Sequence, residues 1–148
     1  MKAKRIIALV LCVVMTAFAF AACGNKPSDN GKKSGGDPDK KTYSFAFLAN
    51  TQNNTFQSTM NDTFKKLADE KGYKYVCYDP DYDLNKQLSQ MSDAATQKFD
   101  AVFVIPVDSA GIRSGLQELK NSGAVVINVD TAVIDADRDL VRTLVATN

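Results

Sequence analysis

Tyr43-Ser44-Phe45-Ala46-Phe47-Leu48-Ala49-Asn50-Thr51-Gln52-Asn53-Asn54-Thr55-Phe56 is the stretch that decides the fold. The run Phe45–Ala49 is wholly apolar and reads as a strand buried on both faces, the pattern of a parallel sheet. The next six residues, Asn50–Thr55, carry amides and hydroxyls and no ionisable group. Apolar residues then recur at Phe56, Met60, Phe64 and Leu67, which is helical spacing. Strand, polar loop and helix N-terminus therefore follow one another directly. In open α/β sheets, ligands gather outside the carboxyl ends of the strands. A loop of amides placed there donates and accepts hydrogen bonds in several directions, which suits a neutral polyhydroxyl ligand. The competing reading is that these residues are only helix caps and turn formers.

Downstream of that unit the pattern repeats. Lys71-Gly72 stops the first helix. Tyr73–Tyr78 is a second strand, rich in aromatic and β-branched residues, and Asp79-Pro80-Asp81 breaks it. Leu84, Leu88, Met91 and Ala95 mark a second helix over Asp83–Lys98. Ala101–Ile105 is the most apolar strand and is expected at the centre. Asp108 or Ser109 is expected to cap a third helix with apolar positions Ile112, Leu116 and Leu119, ended by Asn121-Ser122-Gly123. Ala124–Val129 is the fourth strand and Thr143–Ala146 a short fifth, with a loop of four charges over 132–140 between them. Strands alternating with helices of 11 to 16 residues predict an α/β fold, an open parallel sheet with helices on both faces and strand order 2-1-3-4-5. Four polar clusters then share one edge: 50–55, 79–83, 106–109 and Asp130-Thr131.

Toward the N-terminus the composition changes twice. Lys2, Lys4 and Arg5 precede an uncharged apolar stretch of 17 residues, Ile6–Ala22, and then Cys23. That is a secretion signal. Phe20-Ala21-Ala22-Cys23 resembles a bacterial lipobox, although Phe20 stands where leucine is usual. The resemblance implies that residues 1–22 are a lipoprotein signal peptide and that Cys23 is lipidated and becomes the mature N-terminus. An uncleaved anchor and simple secretion are the alternatives. Residues 23–41 then form the lipidated cysteine and a linker whose Gly, Pro and Lys content cannot build a core. Its 18 residues from Gly24 reach roughly 20–25 Å as a flexible chain.

The whole chain has 148 residues, 18 basic and 17 acidic, for a net charge of +1. Beyond the linker the balance is 10 basic against 14 acidic. That excludes a nucleic-acid surface. There is no histidine, the commonest general base and zinc ligand, so no metal and no cofactor are expected. Of the three cysteines only Cys77 lies in the folded part, and its apolar surroundings predict a buried structural thiol.

With these motifs in place, the chain resembles the periplasmic sugar-binding proteins of the ribose-binding type, the solute receptors of ABC importers. The matching stretches are FAFLANTQNNTF, KGYKYVCYD, the helix through Gln90, FDAVFVIPVDSAGI, SGAVVINVD and VATN, which span Tyr43–Asn148. The resemblance implies two α/β lobes joined by a hinge, with a monosaccharide in the cleft between them. Residues 42–148 would be the N-terminal lobe, truncated, and the second lobe is missing. Ligand contacts fall by resemblance on Asn54, Phe56 and Asp130, with Asn53 and Thr131 beside them. A carboxylate accepts sugar hydroxyls in charge-assisted bonds, an amide donates and accepts, and an aromatic ring stacks on an apolar sugar face. Thr55, Gln57 and Thr131 stand where ribose binders carry proline, a second aromatic and arginine, which puts ribose itself in doubt. The implied partners are a monosaccharide, an ABC permease with its ATPase, and membrane lipid through Cys23. The protein is expected to be a monomer, not an enzyme, and anchored on the extracytoplasmic side of the membrane. The alternative is a receptor that presents a sugar or an autoinducer-2-like signal to a membrane sensor. For Asp130, Phe56 and Asp108 the competing readings are a turn cap, a core residue facing Phe64, and a helix cap.

Overall fold

The structure is a computed structural model and describes residues 41–146. The leader, Cys23 and the linker up to residue 40 lie outside the described residues. Five strands alternate with helices: β1 (Ser44–Leu48), α1 (Thr55–Lys71), β2 (Lys74–Tyr78), α2 (Leu84–Gln97), β3 (Ala101–Val104), α3 (Arg113–Asn121), β4 (Val125–Val129), a 3-10 helix (Asp135–Leu140) and β5 (Thr143–Val145). The sheet is parallel throughout with order β2-β1-β3-β4-β5, as expected, and β3 is its centre. Parallel strands need a crossover between them, and each crossover here carries a helix.

Alternation along β1 sorts its side chains by kind. Ala46 and Leu48 join an aliphatic core with Met91 and Ala94 of α2, Leu116 and Leu119 of α3, and Val102, Val104 and Val126 of the sheet. Phe45, Phe47 and Ala49 face the other way, toward Met60 and Phe64 of α1. The Phe64 ring lies 4.8 Å from Phe103, 5.4 Å from Phe47 and 6.0 Å from Phe45, in tilted and edge-on contacts that suit aromatic quadrupoles. Helices therefore cover both faces, α1 on one and α2 with α3 on the other. On the α1 side, Val125 of β4 and Val145 of β5 stay 40% and 56% exposed.

Several details depart from the sequence expectations. The helices measure 17, 14 and 9 residues. The side chains that α1 buries are Gln57 and Ala68, while Phe56 and Leu67 of the expected stripe are largely exposed. Neither Asp108 nor Ser109 caps α3, whose preceding residue is Ile112. Asp108 instead closes the turn before it, accepting the N–H groups of Ala110 and Gly111 at 2.8 and 2.9 Å. The four-charge stretch expected as loop is the 3-10 helix, because Asp137 turns inward, fully buried, and pairs with Arg113 at the start of α3. Cys77 is half-buried rather than buried, since β2 is an edge strand. Burial still pushes its thiol up to about 11, so it stays protonated near neutral pH.

Candidate functional site at the carboxyl edge of the sheet

All five strands run the same way, so the segments after β1, β2, β3 and β4 converge on one edge. Asn54 precedes α1 and caps it: its Oδ1 accepts the N–H of Phe56 at 2.8 Å. The cap employs one oxygen and leaves the amide nitrogen of this exposed residue facing solvent. Phe56 follows in the first turn of α1. Its ring is 49% exposed and makes no aromatic pair among the described residues, so the core reading fails for this side chain. Asn53 is exposed and donates from Nδ2 to the carboxylate of Asp81 at 2.9 Å.

Asp130 stands at the end of β4 in the left-handed region, φ 59°, with its N–H donating to the carbonyl of Val145 at 2.8 Å. Aspartate tolerates that conformation better than most side chains. Its carboxylate caps no backbone N–H among the described residues; the exposed Thr131 hydroxyl approaches it at 3.5 Å. The turn-cap reading therefore fits Asp108, whose two backbone bonds also lower its pKa, better than Asp130. Asp130 is two strands away from β1, about 10 Å at ordinary strand spacing. The structure places the candidate residues along one edge, with Asn53, Asn54 and Phe56 on one side and Asp130 and Thr131 on the other.

Three buried amides hold this edge in shape; the sequence reading named only Gln57, as a departure from the ribose binders, and neither of the other two. Gln57 of α1 reaches back to Asn50: its Oε1 accepts the N–H groups of Asn50 at 3.0 Å and Thr51 at 3.4 Å, and its Nε2 donates to Asn50 Oδ1. Gln87 of α2 donates to the carbonyls of Ala49 and Ile105, both at 2.9 Å, and accepts the N–H of Val107 at 2.9 Å. It ties the ends of β1 and β3 together with every amide atom used. Asn128 of β4 donates to the carbonyls of Val104 and Thr131 and accepts the N–H of Val133 at 2.9 Å, which sets the exit of β4. A signal for two of them was present: a glutamine three residues after Leu84 on an apolar stripe, and an asparagine inside AVVINV. Gln57 sits where ribose binders carry a second aromatic, and here that position faces inward.

The charge at this edge is one-sided. The four loop clusters carry Asp79, Asp81, Asp83, Asp108 and Asp130, and no lysine or arginine. Such a surface repels phosphates and carboxylates and favours a neutral or cationic ligand. No group of side chains among the described residues could hold a metal ion.

Comparison with known proteins now adds to this geometry. The family described as periplasmic binding protein domain matches residues 45–145. The ribose import binding protein RbsB of Bacillus subtilis (strain 168) is 28% identical over 145 residues, 98% of this chain and 46% of that protein. The chain thus spans about half the length of that curated relative. Among solved structures, a Mycobacterium smegmatis protein in complex with β-D-fucofuranose is 26% identical, with a TM-score of 0.65 over 72% of this chain and 35% of the other. A galactofuranose binding protein gives the same TM-score at 21% identity, over 71% of this chain and 36% of the other, and so shares the fold. The family match covers the whole sheet and the carboxyl-edge loops, and the chain belongs to the periplasmic binding protein domain family, with the fold of one type I lobe.

Proposed function

We propose that this chain forms one wall of a carbohydrate cleft in an extracytoplasmic substrate-binding protein that delivers a sugar to an ABC permease and its ATPase. One observation carries the reading: Asn54, Phe56 and Asp130 stand exposed on one sheet edge whose four loop clusters bear carboxylates and no cationic side chain. An amide, an apolar ring and a free carboxylate are the groups that grip a neutral sugar ring. Asn53 and Thr131 line the same edge as further hydrogen-bonding groups. The sugar-binding relatives support the ligand class. The opposite wall belongs to a second lobe, since the matched relative is about twice as long. Binding proceeds without chemical conversion, a reading that the match to the periplasmic binding protein domain supports.

Residues 1–22 act as a lipoprotein signal, Cys23 carries lipid, and residues 24–41 tether the lobe to the outer face of the membrane. The basic start, the uncharged stretch Ile6–Ala22 and the lipobox-like Phe20-Ala21-Ala22-Cys23 carry this reading.

The experiment is titration calorimetry of the full gene product against pentoses and hexoses. A sugar should bind, and Asp130→Ala should weaken it at least tenfold, because sugar hydroxyls lose a charged acceptor in a closed site. Unchanged binding by the variant removes Asp130 from the site. Loss of sugar uptake in a strain lacking this gene supports import; loss of a sensory response with uptake intact supports presentation to a membrane receptor.

A further inference from the structure

The two adjacent amides of the candidate site, Asn53 and Asn54, are not equivalent. A side-chain amide has an accepting oxygen and a donating nitrogen, so the partner of one end fixes which end is left over. Asn54 faces the N–H of Phe56, which only donates, so its Oδ1 is engaged and its Nδ2 is left over. Asn53 faces the Asp81 carboxylate, which only accepts, so its Nδ2 is engaged, at 2.9 Å, and its Oδ1 is left over. Neither remaining end has a partner among the described residues.

Asp81 belongs to the β2–α2 connection, and hydrogen bonds seat that connection against the β1–α1 loop. Asp79 Oδ1 accepts the N–H groups of Asp81 at 3.0 Å and Gln52 at 3.2 Å, and the Tyr82 N–H donates to the Asn50 carbonyl at 2.8 Å. The Asn53 N–H donates to the hydroxyl of the buried Thr51 at 3.0 Å, which fixes the other side of the pair. Asp81 itself lies in the left-handed region at φ 54°, which aspartate and asparagine tolerate better than most residues. Strand β2 flanks β1 on the side away from β3 and β4. The bond to Asp81 therefore draws the Asn53 nitrogen toward that flank and turns the oxygen, the other branch of the same planar group, away from it. We propose that Asp81 is a positioning residue of the carbohydrate site: it sets Asn53 as an acceptor beside the donor of Asn54. The pair then selects a ligand with a hydroxyl that donates to Asn53 next to an oxygen that accepts from Asn54, which adjacent hydroxyls of a sugar ring supply. The proposal rests on the carbohydrate reading of the edge.

The test is calorimetry of the full gene product with D-ribose, D-xylose, D-glucose and D-galactose, followed by the monodeoxy forms of the sugar that binds most tightly. Asp81→Asn should bind that sugar about tenfold more weakly at unchanged melting temperature, because an amide partner no longer dictates which end of Asn53 it meets. Asn53→Ala should lose a similar factor, and adding Asp81→Asn to it should cost nothing further, since Asp81 acts through that one amide. One monodeoxy sugar should bind the native protein about tenfold more weakly and bind Asn53→Ala as well as its parent sugar does. Asp83→Asn removes the same charge from the same connection while keeping the cap on the Lys86 N–H, and should bind as the native protein does. Full affinity in Asp81→Asn, a further loss on the Asn53→Ala background, an equal loss in Asp83→Asn, or no deoxy position coupled to Asn53 overturns the proposal. The carbohydrate site then still stands if Asp130→Ala weakens binding. Failure of the native protein to bind any of the four sugars overturns both readings.

Discussion

At the scale of single residues, the site uses side chains whose backbone work is already done by others. Asn54 spends one oxygen on a cap, Asp130 spends only its N–H on β5, and Phe56 spends nothing on the core. The opposite edge of the sheet shows a carboxylate fully committed to structure. Asp100 pairs with Lys41 at 3.0 Å and accepts the N–H and hydroxyl of Ser44 at 2.8 and 2.9 Å. Those partners hold its pKa down to about 2, the Lys41 hydrogen bond first and the Ser44 bonds next. A folded-state pKa below the unfolded one means stability that is present above about pH 4 and lost as pH falls toward 2. Urea midpoints measured at pH 7 and pH 2.5 should therefore fall less for Asp100→Asn than for the native protein; an equal fall would show that Asp100 contributes nothing to acid unfolding.

Between elements, polar contacts and close approach both matter. Gln87 is completely buried and serves three backbone groups on two different strand exits. Gln87→Leu keeps the volume and strands the carbonyls of Ala49 and Ile105 and the N–H of Val107. The expected loss is about 3 kcal/mol in urea unfolding, accompanied by weaker ligand binding, because the β1 and β3 exits lose their register. A stable variant with intact binding would mean that water replaces the amide. Where α3 crosses α2, Gly115 permits the contact: a β-carbon there would lie 2.5 Å from the sulfur of the buried Met91 and 3.0 Å from its Cβ. Gly115→Ala should cost about 1–3 kcal/mol by overpacking, despite alanine's better helix propensity. Thermal melts of the two proteins check the sign, since relief by a simple methionine rotation would turn the loss into a gain.

For the whole molecule, the proposed anchor is a separate unit from the proposed site. Among the described residues no helix is long and apolar enough to cross a membrane; the proposed attachment is through Cys23. Cys23→Ser should move nearly all of the protein from the membrane fraction to the soluble exported fraction, since two acyl chains at about 0.8 kcal/mol per buried methylene dominate membrane affinity. Fractionation that still finds the variant in the membrane would favour an uncleaved leader. Most of the fold was legible at this scale. Five strands, their order and the shared edge of the four polar clusters followed from apolar runs alternating with helical stripes. The 3-10 helix was not legible, because Asp135–Leu140 reads as a solvated charge run until Arg113 arrives from α3 to pair with Asp137.

The sequence by itself determined the parallel α/β architecture and the one edge on which the polar clusters gather. Each rests on local pattern: continuous apolar strands need cover on both faces, and alternating helices supply it only in a parallel sheet. Tertiary structure alone decided which polar residues were scaffold and which were free. Gln57 is buried against Asn50 and Thr51, and Gln87 and Asn128 among backbone groups of neighbouring strand ends, while Asn53 and Asn54 face solvent. The same holds for Phe56 and Phe64, both on one helical stripe. Phe56 stands in the first turn of α1 at the carboxyl edge, whereas Phe64 lies over the sheet against Phe47 and Phe103, so one ring enters the core and the other stays at the edge. Hydrogen-bond partners and burial are set by chain segments far apart in sequence, and no local pattern encodes which of them will meet.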